Sequence, residues 1–265
     1  MFYLIAEPIA LPLDVEMMGP HEGEIGTALR LLDRVFQNHG RILDGVIGDA
    51  EYLSAPFFNF CTEHKKYAAA TLKDNNPALL AEALALMAQT EPVIEEGPFG
   101  RSSYWDIDGI QVNDQMKKPV RVLRALEPHR ARVRTTKRTP KLPEEKHEPH
   151  DNLWATTAPK AALPTRSFLQ LGHHRWDIEN RTFNILVNYW GLDHCYKHEP
   201  AAILNFILTL FIAYLLIQCF RSRNLKPEVQ RLFVTLISLA DELRTSLAAA
   251  SGWAPWIQRA SLPAP

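Results

Sequence analysis

Two short stretches of this 265-residue sequence carry residues whose types and spacing could do chemistry. The first is Val46-Ile47-Gly48-Asp49-Ala50-Glu51-Tyr52, where a carboxylate follows an apolar run. Ligands of open α/β sheets collect at the carboxyl ends of strands, so Asp49 is placed to meet a metal ion or a substrate. An aspartate there also serves as a plain helix cap, and Glu51 has the same alternative. The second stretch is Gly172-His173-His174-Arg175-Trp176-Asp177-Ile178-Glu179-Asn180, followed by Phe183-Asn184. On a helix Arg175 and Glu179 stand one above the other, while Trp176, Phe183 and Trp190 can face the core. A surface ion pair worth about 0.2–0.5 kcal/mol explains that spacing as well. His194 and His198, with Asp193 and Cys195 beside them, have zinc-like spacing, but the sequence offers no second ligand pair. A polar connection between helices accounts for them.

Charge is unevenly placed. Formal net charge is -1, yet Lys117 to Lys141 holds ten Lys or Arg residues against the single acid Glu127. That run is +9 and the rest of the chain -10, which excludes a uniformly basic DNA-coating protein and points to a polyanion partner at one place. Hydrophobic residues at 46% and charged residues at 22% exclude wholesale disorder. Cys61, Cys195 and Cys219 form no CxxC pair, so neither a disulfide framework nor a cysteine zinc site is indicated, and a reducing cytoplasm fits. Residues 1–18 lack the basic start and cleavage site of a secretory signal. Ala201–Phe220 is apolar at 17 of 20 positions, close to a bilayer span. Asn205, Thr209 and Gln218 interrupt it, and a buried core helix is the expectation set against a membrane-associated helical protein.

The elements that must position these residues follow from periodicity. Phe2–Ala6 and Leu11–Met17 read as two short extended runs, held to an edge or hairpin by Pro8 and Pro12. Glu22–Asn38 has helical spacing, Ile42–Ile47 reads as a buried strand, and Ser54–His64 as a helix capped by Ser54. Tyr67–Leu72 is a further strand and Leu79–Met87 starts a third helix. This alternation argues a partly parallel sheet flanked by helices. From Glu91 onward short extended pieces replace helices (Ser103–Ile107, Val120–Leu126, Leu153–Thr157). Ser167–Trp190, Ala201–Phe220 and Glu228–Ala249 are then three long helical patterns. The expected organisation is residues 1–90 as the first part of an α/β core and 91–163 as a β-rich insertion with the basic run. Residues 164–250 make a helical return and 251–265 a frayed tail.

GDAEY after an apolar strand, LKDN after the next, and R-W-D-I-E-N-x-x-F-N far downstream together resemble the DDE transposases of bacterial insertion sequences, most closely insertion-sequence family four. The resemblance runs from the opening hairpin to the apolar helix near Phe220. It implies a ribonuclease-H-like fold, a mixed sheet flanked by helices with a β-rich insertion and a helical carboxyl-terminal part, in which three carboxylates surround two divalent ions, Mg2+ or Mn2+. Asp49 matches the family's second catalytic aspartate, Glu179 its glutamate, and Arg175 the arginine that helps hold DNA phosphate. Arg121, Arg124, Arg130, Arg132 and Arg134 of the basic run are the further phosphate-binding candidates. The implied partners are insertion-sequence ends and target DNA, with a homodimer on DNA, a cytoplasmic location and no membrane.

Three departures accompany the resemblance. The family commonly has a tyrosine three residues before that arginine and a lysine seven after the glutamate; Gly172 and Leu186 stand there instead. Its first catalytic aspartate belongs to a strand ahead of the opening hairpin, for which Phe2–Met18 offers no counterpart; Asp14 and Asp44 fall in the wrong places. The expectation is therefore an amino-terminally truncated copy, weak or inactive in DNA strand cleavage and transfer. The rival within the same resemblance is a DNA-binding remnant without catalysis.

Overall fold

The computed structural model of the chain describes residues 1–5, 10–97, 100–111, 115–128, 149–194, 197–232 and 236–251. It divides the chain into two compact units, residues 18–176 and residues 1–17 with 177–265.

The unit of residues 18–176 is built on a six-stranded mixed sheet. Its strands are β3 (Gly45–Gly48), β4 (Tyr67–Thr71), β5 (Val93–Gly97), β6 (Gly100–Ile110), β7 (Val120–Glu127) and β8 (His150–Thr156), in the spatial order β3-β4-β8-β7-β6-β5. β3 and β4 are parallel, with Gly45 opposite Tyr67 and Gly48 opposite Ala70; every other pairing is antiparallel. The pieces read from sequence between Ser103 and Thr157 therefore continue the sheet of β3 and β4. β4 sits second in the order with Ala68, Ala69 and Ala70 all buried, as a strand covered on both faces requires. Helices α1 (Glu24–His39), α2 (Ala55–Glu63) and α3 (Pro77–Met87) alternate with β3 and β4 as the periodicity predicts. α1 buries Leu31, Leu32, Val35 and Phe36, and α2 buries Phe57, Phe58 and Cys61. Each such aromatic or aliphatic burial contributes about 1.5–3 kcal/mol.

Two local expectations shift. The strand expected over Ile42–Ile47 begins only at Gly45, because Gly40–Ile42 forms a single 3-10 turn. The Lys66 ammonium donates to the carbonyls of Gly40 and Leu43 at 2.5 and 2.6 Å, so those groups serve a clasp and not a ladder. Ser54 does precede α2, but its hydroxyl makes no cap hydrogen bond.

The last helix of this unit, α4 (Thr165–His174), lies on β7 and β8, where Phe168 joins Ala69, Leu123, Ala125 and Trp154 in one core. The helix predicted over Ser167–Trp190 is not continuous. The amide of Arg175 still bonds the Leu171 carbonyl, but that of Trp176 reaches His173, a tightened turn. A π-helical segment, Ile178–Phe183, follows, and then α5 (Asn184–Trp190), which Gly191 ends in the left-handed conformation (φ 68°).

In the other unit β1 (Phe2–Ile5) and β2 (Ala10–Asp14) form the expected antiparallel hairpin. α6 (Pro200–Arg223) packs Phe211 and Tyr214 against Leu186 of α5, with Met1, Val15 and Trp190 around them. The pattern over Glu228–Ala249 becomes α7 (Pro227–Leu232) and α8 (Leu236–Ser251). The expectation of a buried core helix for the apolar stretch is corrected. Only 11% of the most apolar window of α6 is buried, because one face alone meets a core. α6 is long and apolar enough to cross a membrane by length and composition.

Gly172 brings α4 close against Trp154 of β8. A Cβ built there would lie 2.4 Å from the Trp154 ring, so the tyrosine common at this position in the resembling family has no room. Gly172→Ala is expected to cost about 1–3 kcal/mol by overpacking in urea denaturation. Combined with Trp154→Leu, the double variant should lose less than the two single losses added, since the clash goes with the indole. Strict additivity would mean that the two residues do not share this space.

Candidate functional site

Asp49 is the first residue after β3, at the carboxyl end of the parallel pair. Its carboxylate is exposed and accepts the amide of Glu51 at 3.0 Å, opening a one-turn 3-10 helix over Ala50–Tyr52. The cap reading of Asp49 is thus realised, and it uses one of the two carboxylate oxygens. Tyr52 folds back over Gly48, where an added Cβ would meet the ring at 2.6 Å, so only glycine lets the loop close this tightly. The Tyr52 hydroxyl donates to Glu24 Oε1 of α1 at 2.8 Å, and its ring packs edge-on to Phe57 at 5.1 Å. Burial first, then the hydrogen bond and charge of Glu24, with Asp49 and Glu51 adding, push the phenol well above its ordinary range. Tyr52 therefore stays a neutral donor beside the carboxylates.

The loop after β4 reaches the same place. Asn75 Nδ2 donates to the carbonyl of Ala50, so the GDAEY and LKDN motifs are joined by a hydrogen bond across the ends of two parallel strands. Asn76 next to it caps α3 through the Leu79 amide. Sequence reasoning marked both motifs but gave no role to Tyr52, Asn75 or Glu24. Pairing of the two loops follows from β3 and β4 being neighbours, a relation that spacing along the chain does not express.

The downstream motif is placed differently from the expectation. Glu179 is exposed and lies in the π-helical segment, within the unit of residues 1–17 and 177–265. Arg175 ends α4 in the other unit, its guanidinium 4.1 Å from the Trp176 ring centroid. The uninterrupted α-helix that would stack Arg175 on Glu179 is not formed, since a tightened turn and a π-helical segment replace it. Leu186, where the resembling family has a lysine, is fully buried in the core with Phe211 and Tyr214. Among the described residues no group of three or more His, Cys, Asp or Glu side chains is gathered as for a metal ion, which includes His194 and His198.

The basic run is largely neutralised where it is described. Arg121 is buried in a bidentate pair with Asp106, Nε–Oδ1 and Nη2–Oδ2 both 2.7 Å, and also donates to the Leu163 carbonyl at 2.5 Å. Its guanidinium lies over the Phe168 ring at 5.4 Å. Arg121 is therefore withdrawn as a phosphate-binding candidate: its charge is shut inside the sheet. Arg124 makes a bidentate pair with Asp151 and stacks on Trp105, which likewise commits it to the fold. Lys117 holds Glu63 at 2.5 Å, and that bond and charge lower the Glu63 carboxyl below its ordinary range. Arg130, Arg132 and Arg134 lie outside the described residues.

A family model described as a transposase DDE domain matches residues 10–216, which takes in both carboxylate motifs and most of α6. The chain belongs to this transposase family, and its six-stranded mixed sheet flanked by helices is the ribonuclease-H-like architecture of such domains. No curated protein matches it. DDE transposases use divalent metal ions and act on DNA.

Asp106 gives the fold a pH signature. Burial alone would raise its carboxyl, but hydrogen bonds from Arg121 and Thr165, with the Arg121 and Lys160 charges, outweigh burial and lower it. A carboxylate lowered by folding stabilises the protein above its unfolded value of about 3.9, and that contribution is lost as pH falls through the folded value. Arg121→Ala, which leaves Asp106 unpaired, should cost about 3–5 kcal/mol at pH 7. Asp106→Asn should also destabilise at pH 7 and flatten the loss of stability below pH 4, both read by denaturation across pH. An unchanged acid limb in Asp106→Asn would show that other carboxylates set it.

Proposed function

We propose that this chain is the catalytic part of a transposase whose Asp49 and Glu179 supply carboxylate ligands for Mg2+ or Mn2+ in DNA strand cleavage and transfer. The observation that carries the reading is Asp49 itself. It is an exposed carboxylate at the end of a parallel strand, on a loop tied down by Tyr52 and Asn75, inside a chain of the DDE family. The donors fit the ion, since magnesium is hard, prefers oxygen and keeps several waters. When bound, divalent ions activate the attacking oxygen of water or a DNA 3′-hydroxyl and stabilise the leaving one. Asp49 offers its second carboxylate oxygen from a backbone that cannot drift, because its first holds the Glu51 amide. Tyr52, kept protonated, adds no competing negative charge. Glu179 offers an exposed carboxylate from a π-helical segment, a distortion frequent at functional sites. Arg175, with its guanidinium set flat on Trp176, presents planar donors suited to phosphate. The basic residues between Arg130 and Lys141 add affinity for DNA backbone that reads no sequence.

Element ends and target DNA are the proposed substrates, two copies of the chain the working form, and the cytoplasm the location. A second reading, DNA binding without efficient catalysis, is favoured by one feature. The carboxylates matched here, Asp49 and Glu179, are two of the family's three, and two alone would supply less metal activation and charge stabilisation than three. Nicking of supercoiled plasmid with and without Mg2+ separates the readings, with plasmid binding measured alongside. The catalytic reading expects slow, Mg2+-dependent nicking that Asp49→Asn and Glu179→Gln each abolish while binding persists. Nicking that survives both substitutions would overturn the assignment of these carboxylates, and binding with no nicking at all would leave the second reading standing.

A further inference from the structure

The outer face of α6 is used neither by the core nor by the proposed chemistry. Its inner side holds Phe211 and Tyr214 against Leu186. On the other side Asn205, Leu208, Ile212, Leu216 and Cys219 are exposed, with Leu208, Ile212 and Leu216 at 37%, 59% and 65%. Steps of three, four, four and three residues keep these five on one helical stripe, beside which exposed Thr209 turns its hydroxyl back to the Asn205 carbonyl at 2.7 Å. The apolar residues occupy its centre, the polar ones its ends, and no residue from Pro200 to Phe220 is charged.

We propose that this stripe pairs two copies of the chain, α6 lying antiparallel on the α6 of a second copy about a two-fold axis at Ile212. The stripe is symmetric about that residue. In the antiparallel pair Ile212 meets its own equivalent, Leu208 meets Leu216, and Asn205 meets Cys219. A two-fold interface needs such a self-complementary surface. Charge sets the direction. Arg221 and Arg223 end the helix and Glu199 precedes it, exposed although paired with Lys197. Parallel pairing would crowd the arginines of both copies at one end, whereas antiparallel pairing separates them by nearly the helix length, about 36 Å. It also sets each arginine pair beside the Glu199 of the second copy and opposes the two helix dipoles. Asn205 distinguishes this occupant from a bilayer. In a helix–helix seam a single polar residue fixes register, while against hydrocarbon it is a penalty.

The pairing deepens the proposal that two copies work together, and it needs neither metal nor DNA, so its failure is separable from failure of the nicking experiment. The full chain should elute with a light-scattering mass twice its 30.1 kDa. Ile212→Asp should give the single-chain mass with an unchanged circular dichroism spectrum. In a Cys195→Ser, Cys219→Ser background, Ile212→Cys should crosslink to itself on oxidation. With Cys195→Ser alone, the native Cys219 should not. A single-chain mass at every soluble concentration would overturn the pairing, as would a dimer that Ile212→Asp leaves intact. Self-crosslinking through Cys219 would replace the antiparallel arrangement with a parallel one and so contradict the proposal. Co-sedimentation of single chains with phosphatidylglycerol–phosphatidylcholine vesicles would assign the stripe to a lipid surface instead.

Discussion

A buried charge inside the sheet constrains much of what surrounds it. Arg121 on β7 cannot be shut away from water unless its donors are met, and it meets them on Asp106 of β6 and on the Leu163 carbonyl just ahead of α4. Thr165, the first residue of α4, adds its hydroxyl to the same Asp106 carboxylate. One guanidinium thereby fixes two strands and the start of the helix that leads to Arg175. Such a pair contributes less to net stability than its Coulomb energy implies, because both ions are desolvated. Its effect is to leave the chain one way of laying α4 on the sheet. Phe168 under the guanidinium and Gly172 under Trp154 then set how closely the helix lies.

At the other end of the sheet the parallel pair β3–β4 does for Asp49 what the ion pair does for α4. Parallel neighbours bring their carboxyl-terminal loops side by side, and here those loops hydrogen-bond directly, through Asn75 and Ala50. Tyr52 and Glu24 add a second tie, to α1. The carboxylate thus stands on a loop held from two directions, which suits the proposed role of Asp49, since a metal ligand works best when it is pre-placed.

The elements up to residue 88 were readable in the sequence because their burial is periodic. Leu31, Leu32, Val35 and Phe36 mark one face of α1, and the short apolar runs at Val46–Ile47 and Ala68–Ala70 are strands, the first half-buried and the second buried throughout. The family was readable as well, from three short motifs in order. Partners of individual charges were not. Within the run of ten cations, Arg121, Arg124 and Lys117 look like part of a polyanion site until Asp106, Asp151 and Glu63 are found beside them, from positions 15 to 54 residues away. The break after Arg175 was also hidden, because α- and π-helical turns place apolar residues at nearly the same intervals. For α6, composition reported apolarity but not which side meets a core.

The central proposal is that Asp49 and Glu179 act on one divalent ion. Mn2+ titration calorimetry on the full chain, with Asp49→Asn, Glu179→Gln and the double variant, tests it without any turnover. Shared ligation predicts that each single substitution removes most of the affinity and that the double variant is scarcely weaker than either, a strongly non-additive cycle. Additive losses, or Mn2+ binding untouched by both substitutions, would contradict it.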